Sequence, residues 1–213
     1  MFTGLTESIC TVKSVRQSGE GGLATIDLGR LAKDAAIGDS IAISGVCLTI
    51  AKLNGSVATF DLSRETVTKS TLGKLRPFSA VNAELAMKAS TRFGGHMVQG
   101  HIDGVATIKA IVKRGQFVDI KFAVKPELLD QMIIKGSVAV DGISLTIAQM
   151  DGNSFGAAII PQTMEKTTLG RAKIGDVVNI ETDIIVKTIK SELKKILPQE
   201  QKLTVEKLKE LGF

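Results

Sequence analysis

Cys47 and His101 are the side chains here best suited to reaction chemistry near neutral pH. A thiol can act as a nucleophile, and an imidazole can shuttle protons. Cys47 stands in Gly45-Val46-Cys47-Leu48-Thr49, a segment that returns as Gly142-Ile143-Ser144-Leu145-Thr146. One copy therefore carries a thiol where the other carries a hydroxyl. Period-two geometry puts Cys47 with Thr49, and Ser144 with Thr146, on one strand face. Facing a pocket, these groups would hold a polyhydroxyl ligand; facing a core, each would need a hydrogen-bond partner. Taken singly, Cys47 and His101 also read as structural residues, and on residue type alone that reading is the commoner one. Gly94-Gly95 before His96, and Gly100 before His101, imply backbone that must come close to something. Ser44 and its counterpart Asp141 each precede a Gly and suit a turn. The runs 61–66 and 158–163 form a second wall in each copy, and read equally as strand ends leading into a helix cap. Two Cys and two His offer no recognisable zinc spacing, and no Gly-rich loop ends in Gly-Lys-Ser/Thr.

These residues sit in a duplicated frame. Residues 40–51 return at 137–148 with seven of twelve positions identical, and three more exchange Ile and Val. Thr66 to Gly73 returns as Thr163 to Gly170 at the same offset of 97 residues. That period is far longer than the ~20–50 residues of a solenoid unit, so each copy can be a domain with its own core. The expected division is 1–96, 97–186 and a tail from 187 to 213. Alternation and β-branched content predict strands at 7–15, 23–28, 40–44, 46–52 and 56–62, then at 103–113, 117–124, 137–141, 143–150 and 154–160. Asn54-Gly55 and Asp151-Gly152 close equivalent hairpins. Many short strands with Gly turns indicate an all-β chain of small antiparallel barrels or sandwiches. Helices are expected at 31–36 and 126–133. Near the C-terminus, Val186, Ile189, Leu193 and Ile196 are spaced 3, 4, 3, which gives a narrow apolar stripe suited to a partner subunit.

Composition excludes several classes. Hydrophobic residues make up 44% and charged residues 23%, as in ordinary globular domains. No apolar run reaches the ~18 residues of a membrane span, and the opening residues lack a leader pattern. Cys10 and Cys47 have no counterparts in the second copy, so a disulfide framework is not expected and a reducing cytoplasm is. The net charge of +5 is spread out, and Tyr and Trp are absent. A nucleic-acid stacking platform is therefore poorly supplied, and neither nucleic acid nor membrane is expected as a partner.

Met1-Phe2-Thr3-Gly4, Gly45-Val46-Cys47-Leu48-Thr49, Gly94-Gly95-His96-Met97-Val98-Gln99-Gly100-His101-Ile102-Asp103, Asp141-Gly142-Ile143-Ser144-Leu145-Thr146 and Thr167-Thr168-Leu169-Gly170 occur in that order. Together they resemble riboflavin synthase of the alpha-chain type, over about residues 1–190. The resemblance implies two similar six-stranded Greek-key barrels in tandem and a C-terminal helix that helps build a homotrimer. It implies dismutation of two molecules of 6,7-dimethyl-8-ribityllumazine, with transfer of a four-carbon unit and no metal or cofactor. The products are riboflavin and 5-amino-6-ribitylamino-uracil. Carried over by position, the first-barrel pocket comprises Gly4, Leu5, Thr6, Ser40, Cys47, Leu48, Thr49, Asp61, Leu62, Ser63, Arg64, Glu65 and Thr66. The second comprises Gly100, His101, Ile102, Lys135, Asp141, Ser144, Leu145, Thr146, Ala158, Ile159, Ile160, Pro161, Gln162 and Thr163. Cys47, His101, Ser144 and Asp183 are the implied catalytic set, with the nucleophile unassigned among them. Gln162 stands where members often have His or Glu. Association with lumazine synthase is left open. The rival is a non-catalytic lumazine- or flavin-binding protein on the same fold. Retention of Asp141 to Thr146 beside Cys47 and His101 favours catalysis.

Overall fold

The structure, a computed structural model, describes residues 1–196. Strands β1 (Ser8–Ser18), β2 (Gly21–Asp27), β3 (Ser40–Ile43), β4 (Val46–Asn54), β5 (Val57–Leu62) and β6 (Ala80–Leu85) close into an antiparallel barrel in the order β1-β2-β5-β4-β3-β6. The closure has a plain cause. Alternate residues are apolar, so each strand turns one face inward: Ala24 and Ile26 of β2, Val46, Leu48 and Ile50 of β4, Ala58 and Phe60 of β5. Cys47 and Thr49, out of phase with these, face away from the core. The period-two reading of that pair is thus realised on the outer face of the barrel.

The second copy repeats the scheme with β7 (Gly104–Arg114), β8 (Phe117–Ala123), β9 (Ser137–Val140), β10 (Ile143–Thr146), β11 (Gln149–Asp151), β12 (Ser154–Ile159) and β13 (Val177–Thr182). Its strands pair as β10-β9-β13-β7-β8-β12-β11, a curled seven-stranded sheet rather than a closed six-stranded barrel. The extra strand arises where β4 bulges. The register of β4 slips between Ile50 and Lys52, and at the equivalent place, Ile147–Ala148, the ladder breaks and divides one strand into β10 and β11. Bulges commonly bend and interrupt a strand in this way. Phe122 and Phe155 stack inside this core with ring centroids 5.0 Å apart.

Two strands, β6 and β13, lie outside the expected set. Their sequences, Ala80 to Leu85 and Val177 to Thr182, bury Asn82, Glu84, Asn179 and Glu181, which disguises the apolar alternation. The predicted helix at 126–133 shortens to α2 (Pro126–Leu129), and the one at 31–36 is a 3-10 turn over Gly29–Lys33. Each barrel adds a helix after its fifth strand position: α1 (Arg64–Lys69) and α3 (Pro161–Lys166). Helix α4 (Ile184–Ile196) carries the predicted stripe, with Ile189, Leu193 and Ile196 exposed in the single chain and Val186 half-buried. The remainder of the tail, 197–213, lies outside the described residues. No helix among the described residues is long and apolar enough to cross a membrane.

The barrels meet about a pseudo-twofold axis. Asn82 donates to the Asp141 carbonyl (3.0 Å) and accepts the Thr168 N–H (2.9 Å); Asn179 donates to the Ser44 carbonyl (2.8 Å) and accepts the Thr71 N–H (2.7 Å). On the axis, Gly45 and Gly142 touch so closely that a Cβ on Gly45 would lie 2.6 Å from the Gly142 nitrogen. Phe2 and Val98 form an antiparallel bridge nearby, and both are buried.

Candidate active site

The first barrel opens into a cleft of about 420 Å³. The start of β4 supplies Val46 and Cys47, and α1 with its flanks supplies Ser63, Glu65, Thr66, Lys69 and Ser70. A segment from the other end of the barrel joint supplies Gly100, His101 and Ile102. Ser63 ends the strand and caps α1, its hydroxyl accepting the Thr66 N–H at 3.1 Å. The run 61–66 is therefore both a strand end with a helix cap and one wall of the cleft. Val46, Lys69 and Ser70 were not legible as lining residues. Glu65 and Lys69 become neighbours only once α1 exists, as an i, i+4 pair 2.7 Å apart. The hydrogen bond from Lys69 holds the Glu65 carboxyl below its usual range, with the Lys69 and His101 charges adding to the effect.

Gly100 explains how a residue that leads the second barrel comes to lie beside Cys47. The Cys47 N–H donates to the Gly100 carbonyl at 2.9 Å. Gly100 has φ +84°, and a Cβ there would lie 2.4 Å from the Cys47 Cβ, so no other residue fits. The mirror contact is made by Gly4, whose carbonyl accepts the Ser144 N–H at 2.8 Å. The grouping expected from position is therefore exchanged: Gly100, His101 and Ile102 complete the first barrel, and Gly4 lies against the second with Leu5 and Thr6 following it. Sequence order hides this because each segment crosses the joint before entering its own barrel.

Around Ser144 the linker between β6 and β7 takes a direct part. His96 Nδ1 lies 2.7 Å from the Ser144 hydroxyl, and the His96 N–H donates to the Thr3 carbonyl at 3.1 Å. The imidazole is 7% exposed, and its Nε2 is buried with no partner among the described residues. Burial lowers its pKa, partly opposed by the negative charge of Asp183, so it is neutral at pH 7. His96 was not singled out as a site residue. Its Gly-Gly prefix was the available signal, since a Cβ on Gly95 would overlap the Thr3 carbonyl oxygen.

The other expected residues scatter by role. Leu48, Leu62, Leu145 and Ile159 are buried in the two cores and present only backbone to a ligand. Ser40 pairs with Thr49 across β3 and β4. Asp61, Ala158, Ile160, Pro161 and Gln162 are exposed, and Thr163 is half-buried. Arg64 pairs with Glu20 at 3.0 Å instead of lining the cleft. Thr146 is exposed, and so is Lys135, with φ +67° at the place where the first copy has Gly38. Asp141 accepts the Asn179 N–H at 2.8 Å, and burial pushes its carboxyl up to about 7. Asp183 starts α4, accepting the Ile185 N–H at 2.9 Å. Cys10 and Cys47 are free thiols; burial raises Cys10 to about 11 and keeps it unreactive. No group of three His, Cys, Asp or Glu residues that could hold a metal ion occurs among the described residues.

The sequence profile of the lumazine binding domain matches twice, at residues 3–86 and 99–183. The riboflavin synthase of Actinobacillus pleuropneumoniae is 40% identical over the full length of both chains. That of Bacillus subtilis is 38% identical, also over both full lengths. That of Schizosaccharomyces pombe is 38% identical, covering 88% of this chain and 91% of its own. Among solved structures, LumP complexed with riboflavin superposes with a TM-score of 0.80 at 21% identity, covering 85% of this chain and 99% of that one. LumP complexed with 6,7-dimethyl-8-(1'-D-ribityl) lumazine gives 0.78 at 20% identity, with the same coverage. The chain belongs to the riboflavin synthase family of duplicated lumazine-binding barrels.

Proposed function

We propose that the chain is a transferase that dismutates two molecules of 6,7-dimethyl-8-ribityllumazine into riboflavin and 5-amino-6-ribitylamino-uracil. The observation that carries this is the cleft in which Cys47 of one barrel meets His101 from the segment leading the other, in a chain of full-length kinship to riboflavin synthases. Two identical substrates need two similar pockets, and the duplicated fold supplies two similar barrels. The atoms of the two substrates equal those of the two products, so no outside oxidant is required. The lumazine's C7 methyl is acidic because the heterocycle delocalises the carbanion. His101 removes that proton. Cys47, or Ser144 on the partner pocket, adds to the neighbouring ring or holds the hydroxide that does so. Pressing the rings into register supplies much of the rest; well-oriented reactants gain up to about 7–11 kcal/mol in this way. Hydroxyls of Ser63, Thr66 and Thr49, with Asp61, hold the ribityl chain.

The exposed apolar stripe of α4 supports a homotrimer in which the first barrel of one subunit faces the second barrel of its neighbour. Light scattering on the full chain tests the stoichiometry. Association with lumazine synthase is tested by co-sedimentation. Two free thiols support a cytoplasmic location.

The deciding experiment mixes the protein with 6,7-dimethyl-8-ribityllumazine and follows absorbance and fluorescence. Loss of two lumazines per riboflavin formed is the expected result. A bound lumazine spectrum that never changes would instead identify a binding protein on this fold.

A further inference from the structure

Two buried glutamates hold the segments that cross the joint. Glu84 on β6 accepts the Thr3 N–H and the Thr3 hydroxyl on one oxygen, both at 2.6 Å, and the Gly4 N–H on the other at 3.0 Å. Glu181 on β13 accepts the Gln99 N–H at 2.7 Å and the Gly100 N–H at 2.8 Å, one on each oxygen. The two occupy equivalent positions 97 residues apart and are 6% and 1% exposed. Taking a carboxylate out of water is costly, and burial raises both carboxyls. The chain accepts that cost twice, and the place where each carboxylate points shows what it secures.

A carboxylate that binds two successive N–H groups fixes the orientation of both peptide planes. Beyond the pair held by Glu181, the Gly100 carbonyl meets the Cys47 N–H at 2.9 Å, and the next side chain is His101 in the cleft. Beyond the pair held by Glu84, the Gly4 carbonyl meets the Ser144 N–H at 2.8 Å, and the next residue is Leu5. A glutamate of the second barrel thus stands behind the imidazole of the first barrel's cleft, and a glutamate of the first barrel stands behind the segment over Ser144.

We infer that Glu181 is the positioning residue for His101, and Glu84 the positioning residue for the segment against Ser144, so that each barrel aligns the piece completing the other's pocket. The kinetic consequence rests on the dismutation proposed above; the alignment does not. If these carboxylates merely fastened the barrels together, loss of either would loosen both crossings alike.

The test is E181Q and E84Q in the full chain. Gln keeps the shape and one acceptor oxygen, so one of the two N–H groups loses its partner. Amide hydrogen exchange of the ligand-free protein, read by mass spectrometry, is expected to quicken about ten-fold at 98–102 in E181Q with 2–6 unchanged, and the reverse in E84Q. With 6,7-dimethyl-8-ribityllumazine, E181Q is expected to lower kcat about ten- to a hundred-fold while KM changes little, the size expected from misplacing a proton-transfer group. E181D keeps both oxygens on a shorter arm and is expected to recover part of both readouts; it also serves where E181Q does not fold. Equal quickening of both segments in either variant overturns the inference, as does no quickening in either. A wild-type protein without turnover would remove the proposed reaction and leave the exchange pattern to decide this inference alone.

Discussion

The two barrels share a frame and differ in what covers their mouths. In the first, Cys47 lies in an open cleft beside His101. In the second, the equivalent Ser144 is bonded to His96 of the linker, and the backbone of Gly95 lies against it. Across residues 40–51 and 137–148 the core positions exchange Ile and Val, and the two changes of chemistry are Cys47 to Ser144 at the mouth and Ser44 to Asp141 in the turn beside the joint. Packing tolerates only near-isosteric swaps in the apolar core, so the change that can meet a ligand is the one at Cys47 and Ser144, while Ser44 to Asp141 alters a turn at the joint. An enzyme that makes one substrate a donor and an identical one an acceptor needs such an asymmetry.

The most severe way to break the comparison is G100A. Its Cβ would collide with Cys47 at a backbone angle suited to Gly, so a loss of about 2–4 kcal/mol of stability and over 100-fold of activity is expected. G4A is the mirror, with 2.7 Å to the Ser144 Cβ. Thermal melts of both variants would show whether the two crossings are equally tight. H101Q is expected to lower kcat by about 10²-fold without a matching change in stability, in line with loss of a general base. An unchanged kcat would remove His101 from the chemistry.

The pH response separates the copies further, because Asp141 replaces Ser44. The Asp141 carboxyl titrates at about 7 when folded, above its unfolded value of 3.8, so the folded state binds the proton more tightly. Its contribution is full below the unfolded pKa and is lost as pH rises through about 7. A three-unit rise would be worth about 4 kcal/mol at most. Asp141 keeps part of its surface in solvent, so one or two kcal/mol is the realistic size. D141N is expected to be more stable than wild type at pH 8 and to flatten the stability slope between pH 4 and 7, read by denaturant titration. His96 runs oppositely: its pKa is lowered by burial, so its contribution is present above about 6.5, its unfolded value, and is lost as pH falls through its folded pKa. A fall in the exchange protection factors over 94–98 as the pH is lowered, taken relative to the slower intrinsic exchange in acid, would register that loss. The smallest effect is expected of C47S, which makes the first mouth chemically like the second; a fall in kcat of less than about ten-fold would mean that the thiol orients rather than adds.

Sequence made the barrels legible because their cores alternate at period two, and the repeat confirmed each strand with its twin. It hid β6 and β13, where Asn82, Glu84, Asn179 and Glu181 are buried for the sake of the joint. The same residues explain why the pockets were grouped the wrong way round: hydrogen bonds over about 80 residues carry Gly4 and Gly100 across to the other barrel, and no local pattern reports such distances. Residue types were enough to single out Cys47, His101 and Ser144 as candidates. They were not enough for Lys69 or His96, whose places beside the cleft and Ser144 depend on a short helix and on the path between β6 and β7.

The four bonds of Asn82 and Asn179 have a bearing on descent. Among the described residues, each side chain's hydrogen bonds go to main-chain groups of the other barrel: a carbonyl at Asp141 or Ser44 and an N–H at Thr168 or Thr71. Backbone is the same whatever residues a copy later acquires. A single barrel carrying this Asn would hold both halves of the contact and so be able to pair with a copy of itself, and substitutions at the mouths can make the two copies unlike without loosening the seam.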